Sequence, residues 1–245
     1  MTTLVVGASG ATGKLLVEQL LKSGQRVKVI VRSESAIPDH WSHSDQLEIL
    51  QGNIAEIPVE KLSEYLRDYG AVACCLGHNM SLKGIYGKPR KLVRDSVSLL
   101  CRAIEKNAPE KPVKFVLMNT AGNRNRDLNE PISVGERIVT VLLRLLLPPH
   151  PDNEQAADYL RTEVGQNNPF VEWAAVRPDT LIDEGNVTEY SLHPSPVRSA
   201  LFSPGKTSRI NVANLMSRLI TDENLWINWK GQMPVIYNQM IDSGK

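Results

Sequence analysis

Apolar residues along the chain gather into two kinds of stretch. Short continuous runs, Thr2 to Val6, Arg26 to Ser33, Leu47 to Ile54, Ala71 to Gly77, Val113 to Thr120 and Phe170 to Pro178, read as buried strands. Between them the apolar positions fall at helical spacing. Leu15, Leu16, Val17, Leu20 and Leu21 form one such face, which ends at Gly24. Val59 to Tyr69, Lys91 to Lys106, Asn153 to Val164 and Ile210 to Thr221 read as further helices. Strands that alternate with helices predict an α/β fold, a doubly wound parallel sheet of Rossmann-like form with right-handed crossovers. A ligand of such a sheet sits beyond the carboxyl ends of its strands. The pattern becomes irregular after residue 178, so a small C-terminal elaboration on the substrate side is expected over about residues 179–245. The proline-rich stretches Pro148 to Pro151 and Pro194 to Pro204 are expected to be ordered loops beside a substrate cleft.

Composition narrows the function classes. A chain of 245 residues with 42% hydrophobic residues can bury one sizeable core, which makes 1–245 a single domain. A formal net charge of +1 and no long basic run give no footprint for nucleic acid. The N-terminus has no basic n-region and only a short apolar run, so no secretory signal is expected. Ile138 to Pro149 is the most membrane-like segment, but Arg144 interrupts it and it falls short of the roughly 20 residues a span needs. It reads as a buried or partner-facing helix, which leaves a homodimer or a protein partner open. Cys74, Cys75 and Cys101 read as reduced core thiols of a cytoplasmic protein. No metal is called for.

The stretch "LVVGASGATGKLL" then supplies the chemistry. A triphosphate loop, G-x-x-x-x-G-K-[ST], fails twice, because Ala8 stands where the first glycine belongs and Leu15 where the metal-binding hydroxyl belongs. The dinucleotide template survives in variant spacing, with Gly7 for the tight turn, Gly10 for close approach of backbone to pyrophosphate and Gly13 for packing of helix on strand. The backbone N–H groups that open the following helix would face the anion, with Ser9, Ala11, Thr12 and Lys14 in the same loop.

The end of the second strand selects the dinucleotide. An NAD site normally places Asp or Glu there, roughly 20 residues past the first glycine, to receive the ribose 2′-hydroxyl. This chain places Arg32 and Ser33, a fork and a hydroxyl suited to a 2′-phosphate, which points to NADP(H). The alternative for Arg32 is a solvated arginine or a pair with Glu34. Gly52, Asn53 and Ile54 follow the third strand where adenine would lie, Asn53 offering an amide and Ile54 an apolar face. Leu76 and Gly77 would line the adenosine ribose and pyrophosphate.

With these residues in place the chain resembles the atypical short-chain dehydrogenase/reductase superfamily, in particular its NAD(P)H-binding, NmrA-like branch. "VVGASGATGKLL", "VIVRS", "LQGNI" and "VRPDTLID" carry the likeness over most of residues 1 to 183. "TSRINVANLM", Thr207 to Met216, resembles the segment after the substrate region in flavin reductase/biliverdin-IX-beta reductase relatives. The resemblance implies a Tyr-x-x-x-Lys pair for proton transfer to a carbonyl oxygen. None of the 6 tyrosines has lysine four residues on, and the equivalent helix has Asn153 at the lysine position, with the tyrosine position near Pro149. Near the expected nicotinamide lie Met118, Asn119 and Thr120, where relatives place Ser or Thr. Thr120 is the candidate catalytic residue, with strand-end capping as its alternative. His78, His150 and His193 are loop histidines able to shuttle protons or to serve simply as surface residues. Two functions follow: an NADPH-dependent reductase of a small planar acceptor such as a flavin or quinone, or a non-catalytic dinucleotide sensor acting through a partner protein.

Overall fold

The computed structural model describes residues 1–78, 89–130, 149–200 and 202–239, with positions 135, 139, 141 and 142. The apolar runs form strands β1 (Thr2–Val6), β2 (Arg26–Val31), β3 (Leu47–Gln51), β4 (Ala71–Cys74), β5 (Val113–Met118) and β6 (Val171–Pro178). Helices α1 (Ala11–Lys22), α2 (Val59–Tyr65), α3 (Leu92–Asn107) and α4 (Pro149–Tyr159) connect them, and α4 continues into a π-helical turn at Leu160–Val164. The order β3-β2-β1-β4-β5-β6 is parallel throughout, with β1 paired to β2 on one side and β4 on the other. Chain direction across the sheet therefore reverses between β1 and β4, and a crevice opens there at the carboxyl ends.

Alternation along the strands divides the core between the two faces of the sheet. Leu4, Val6, Val72, Cys74, Phe115 and Leu117 pack under α2, α3 and α4. Val5, Val29, Ala73, Val116 and Ala174 pack under α1 and two later helices, α5 (Arg209–Thr221) and α6 (Glu223–Trp229). The neighbouring cysteines obey the same rule: Cys74 belongs to the first cluster and Cys75 lies against the second, beside Met216. Burial pushes the Cys74 thiol up to about 12 and raises Cys75 and Cys101 as well.

The C-terminal part is the irregular elaboration expected after residue 178, with its helix at Arg209–Thr221, but its strands are new. Short strands β7 (Thr180–Ile182), β8 (Tyr190–His193), β9 (Lys206–Ser208) and β10 (Val235–Asn238) join α6 as elements the hydrophobic pattern does not announce. Strand β10 runs parallel to β6 and antiparallel to β8, extending the sheet to eight strands, while β7 and β9 form a separate parallel pair. The stretch Pro148 to Pro151 is not a loop from Pro149 onward. Pro149 and Pro151 occupy the first turn of α4, where a missing N–H sacrifices no helical bond. The apolar segment Ile138 to Leu147 lies largely outside the described residues. Among the described residues no helix is long and apolar enough to cross a membrane.

Candidate functional site

The crevice between β1 and β4 is built by glycines with different duties. Gly7 leaves β1 at φ +77, and a Cβ there would lie 2.5 Å from the Cys75 carbonyl carbon. Gly13 sits where a Cβ would overlap the Gly7 carbonyl oxygen. Both are required by the chain's own packing. Gly10 is different. It caps α1 in an extended conformation, and a Cβ there would meet only the Gly7 oxygen at 3.2 Å. The space above Gly10 is open, which suits a ligand that lies against the backbone.

The amino end of α1 faces that space without a competing anion. It has no side-chain cap and no acidic residue in its first turn, so the first N–H groups of the helix, at Ala11, Thr12 and Gly13, are available to a phosphate. Ser9 and Lys14 are half-buried at the rim. The crevice therefore fits the pyrophosphate of a dinucleotide by shape and by charge.

Arg32 and Ser33 follow β2, both exposed. Among the described residues Arg32 forms no ion pair, with Glu34 or any other carboxylate, and the Ser33 hydroxyl lies 2.8 Å from that of Ser35. Beyond β3, Asn53 uses its amide on its own loop: Oδ1 accepts from the Ala55 N–H at 3.3 Å and Nδ2 donates to Glu56 at 2.8 Å. Ile54 is buried in the core, so its side chain helps seat that loop. Leu76 is half-buried and Gly77 exposed beyond β4.

At the end of β5, Asn119 acts as a brace. Its Nδ2 donates to the Asn153 carbonyl oxygen at 3.0 Å, while Oδ1 accepts from the Thr120 N–H at 2.8 Å and from Asn123 Nδ2. Thr120 Oγ1 accepts from the Gly122 N–H at 3.2 Å, the turn-closing bond that its hydroxyl was expected to make if it served as a cap. The hydroxyl proton has no acceptor among the described residues.

Two further features escaped the sequence reading. His78, buried beyond β4, places Nε2 2.7 Å from Asp152 Oδ2. That carboxylate also accepts the backbone N–H groups of Val93 and Arg94, both at 2.9 Å, so Asp152 on α4 caps α3 from a distance in sequence that no local pattern reveals. Arg177, at the end of β6, is fully buried and pairs with Glu130 at 2.8 Å. Its guanidinium also donates to the carbonyl oxygens of Asn123, Met233 and Pro194. One side chain thus ties the β5 loop to the two strands of the elaboration.

Beyond this tie a cavity of about 620 Å³ lies at the carboxyl end of β10, lined by His193, Val197, Arg198, Lys206 and Tyr237 among others. Pro204, from the proline-rich stretch expected beside a cleft, lines it too. Ala121, one residue past Thr120, packs with Tyr237 and Val235, so the cavity wall adjoins the end of β5. Burial raises the Tyr237 phenol and the Asp179 carboxyl above their ordinary values. His150 lies half-buried on α4.

Comparison with known proteins identifies the family and the fold. The NAD(P)H-binding family matches the chain over residues 7–223. An uncharacterized chloroplastic protein of Arabidopsis thaliana is 39% identical over 74 residues, which are 30% of this chain and 26% of that protein. The fold is similar to that of a short-chain dehydrogenase/reductase of Veillonella parvula solved in complex with NADP (TM-score 0.70, 14% identity, 98% of this chain and 95% of that one). It is also similar to SP1627, a putative NADH-flavin reductase from Streptococcus pneumoniae (0.65, 20%, 98% and 100%), and to the anaerobillin reductase ChuY from Escherichia coli O157:H7 (0.67, 14%, 100% of both).

Proposed function

The chain belongs to the NAD(P)H-binding family, and from that premise we propose that it is an NADPH-dependent reductase of a small planar acceptor. What supports NADP(H) over NAD(H) is Arg32, an exposed guanidinium without a carboxylate partner among the described residues, at the strand end where an NAD site carries an acid. When bound, the reduced dinucleotide supplies two electrons and a proton together to the acceptor.

The chain's own residues hold the two molecules. The N–H groups that open α1 take the pyrophosphate, Arg32 with Ser33 takes the 2′-phosphate, and Gly10 leaves room for both. Asn119 fixes the end of β5 through its bonds to Asn153 and Asn123. Thr120 then presents a hydroxyl whose oxygen is held by Gly122 and whose proton is free to reach an acceptor oxygen or an ordered water. A flavin or quinone takes its second proton from water, so the missing Tyr-x-x-x-Lys pair is no obstacle to this reaction.

A panel assay tests the proposal: NADPH oxidation is followed with flavins, quinones and dicarbonyls, and both NADPH and NADH are titrated. Turnover of at least one planar acceptor with tighter binding of NADPH is expected. Thr120→Val should slow that turnover about 10-fold to 1000-fold, the usual range for one hydrogen-bonding or proton-transfer group. Binding without turnover of any acceptor would instead select the second reading, a dinucleotide sensor, which the absence of the Tyr/Lys pair also suits.

A further inference from the structure

The cavity at the end of β10 has a polarity that the reductase reading does not by itself require. Its apolar wall is the Tyr237 ring, which lies so close over Gly205 that a Cβ there would overlap it, continued by Ile182 and by Val197, a valine left 61% exposed. The His193 ring tilts against Tyr237 at 5.8 Å, and the Arg198 guanidinium stands over it at 6.0 Å. Tyr237 is only 6% exposed, yet its hydroxyl oxygen is buried with no hydrogen-bond partner that meets ordinary geometry among the described residues. A buried phenol in that state is costly unless a ligand or water completes it.

The cations on the rim lack direct carboxylate contacts. Arg198 and Lys206 are exposed, and neither forms an ion pair among the described residues. The carboxylates nearby are already used: Glu184 accepts from Asn238 Nδ2 at 2.9 Å and lies 3.4 Å from the Thr188 hydroxyl, while Asp179 accepts the N–H groups of Gly205 and Thr180, both at 2.8 Å. An aromatic wall, an unsatisfied phenol and two unpaired cations therefore surround one cavity.

We propose that this cavity binds a planar conjugated ring bearing an anionic group, a carboxylate or a phosphate, with the ring against Tyr237 and Val197 and the anion on Arg198 and Lys206. Calling that occupant the acceptor rests on the reductase reading; its binding does not. The Tyr237 hydroxyl donates to a polar atom on the ring edge. Tyr237 shares a small packed cluster with Val235 and Ala121, the residue after Thr120, so the cavity lies on the same side of the sheet edge as the end of β5.

Equilibrium binding to the whole protein tests this with paired probes that differ in one anionic group. FMN against riboflavin reports on a phosphate, and anthraquinone-2-carboxylate against 2-methylanthraquinone on a carboxylate. At least one charged member should bind about 10-fold tighter than its neutral partner, as a charge-assisted contact gives. The preference should shrink with added salt and fall within about 2-fold in an Arg198→Ala/Lys206→Ala double variant, with NADPH affinity unchanged. Tyr237→Phe should weaken charged and neutral members alike. Equal binding within both pairs, no binding of any probe, or a preference that survives the double variant would each overturn the proposal. Charge-selective binding without NADPH oxidation would leave the cavity assignment standing and refute the reductase. Turnover indifferent to Arg198 and Lys206 would do the reverse.

Discussion

The two ends of the carboxyl edge are made in different ways. At the β1–β4 crevice, shape is set by what the backbone lacks: Gly7 and Gly13 because a Cβ would strike neighbouring backbone, Gly10 because it leaves the start of α1 uncovered. At the β6–β10 end, function is set by side chains that reach across the sequence, above all Arg177, which joins Glu130, Asn123, Met233 and Pro194. A local construction tolerates change elsewhere in the molecule. A construction held by one buried ion pair does not.

The largest effect expected from this contrast is Arg177→Met. Removing one partner leaves Glu130 buried and unpaired, which costs about 3 to 5 kcal/mol of stability. Urea unfolding should show that loss, and Arg177→Met/Glu130→Leu should recover part of it by removing the orphan carboxylate. If the single variant unfolds like the parent, the two ends are not held as differently as the geometry says.

Gly10→Val comes next. A Cβ there presses only on the Gly7 oxygen at 3.2 Å, which must shift by a few tenths of an ångström, so the variant should fold with some loss of stability and lose NADPH binding by calorimetry, while Gly13→Val, whose Cβ would overlap that oxygen, should fail to fold. NADPH affinity unchanged in a folded Gly10→Val protein would remove the crevice as the cofactor site.

Arg32→Ala should weaken NADPH by about 10-fold to 150-fold, the range for a charge-assisted fork worth about 1.5 to 3 kcal/mol, and leave NADH nearly unchanged. Titration of both cofactors in parent and variant checks it; equal weakening of both would make Arg32 a surface residue. Salt should erode NADPH binding more than NADH binding, because the contact is exposed.

The effect that is smallest at neutral pH, and grows only in alkali, concerns the core they share. Cys74 ionises at about 12 when folded against an ordinary value of 9.0, so the folded state holds its proton more tightly. Its contribution is complete below pH 9 and is lost as pH rises toward 12. The thermal midpoint should decline over that window, less steeply in Cys74→Ala, and thiol reagents should modify Cys74 only on unfolding.

Legibility in the sequence followed the same division. Strands β1 to β6 and helices α1 to α5 were readable because each is a hydrophobic period in a continuous segment, and the glycine loop because its demands are met within seven residues of chain, Gly7 to Gly13. Strand ends were overestimated: Arg32 and Ser33, Cys75 to Gly77, and Asn119 and Thr120 lie past the ends of β2, β4 and β5, although the Cys75 and Asn119 N–H groups still bond to the carbonyl oxygens of Val6 and Val176 on the neighbouring strands. The elaboration was opaque. Strands β7 and β9 span three residues each, too few to show a period, and β8 is half-buried at every position. Asp152, Glu130 and Tyr237 act through partners far away in the chain, and no spacing rule connects them.

The position of β10 bears on how the protein is born. It is the last strand among the described residues, yet it lies between β6 and β8, so β8 has no place on the sheet until β10 arrives. During synthesis, which proceeds from the N-terminus at about 5 to 20 residues per second, the glycine crevice can assemble while the aromatic cavity still lacks its wall. Thr207 donates to the Ile236 carbonyl oxygen, and Asn211 to the Asn238 side chain, so the segment Thr207 to Asn211 waits as a clasp for that strand. A nascent chain would therefore complete its glycine crevice first and its second cavity only after β10 has been made.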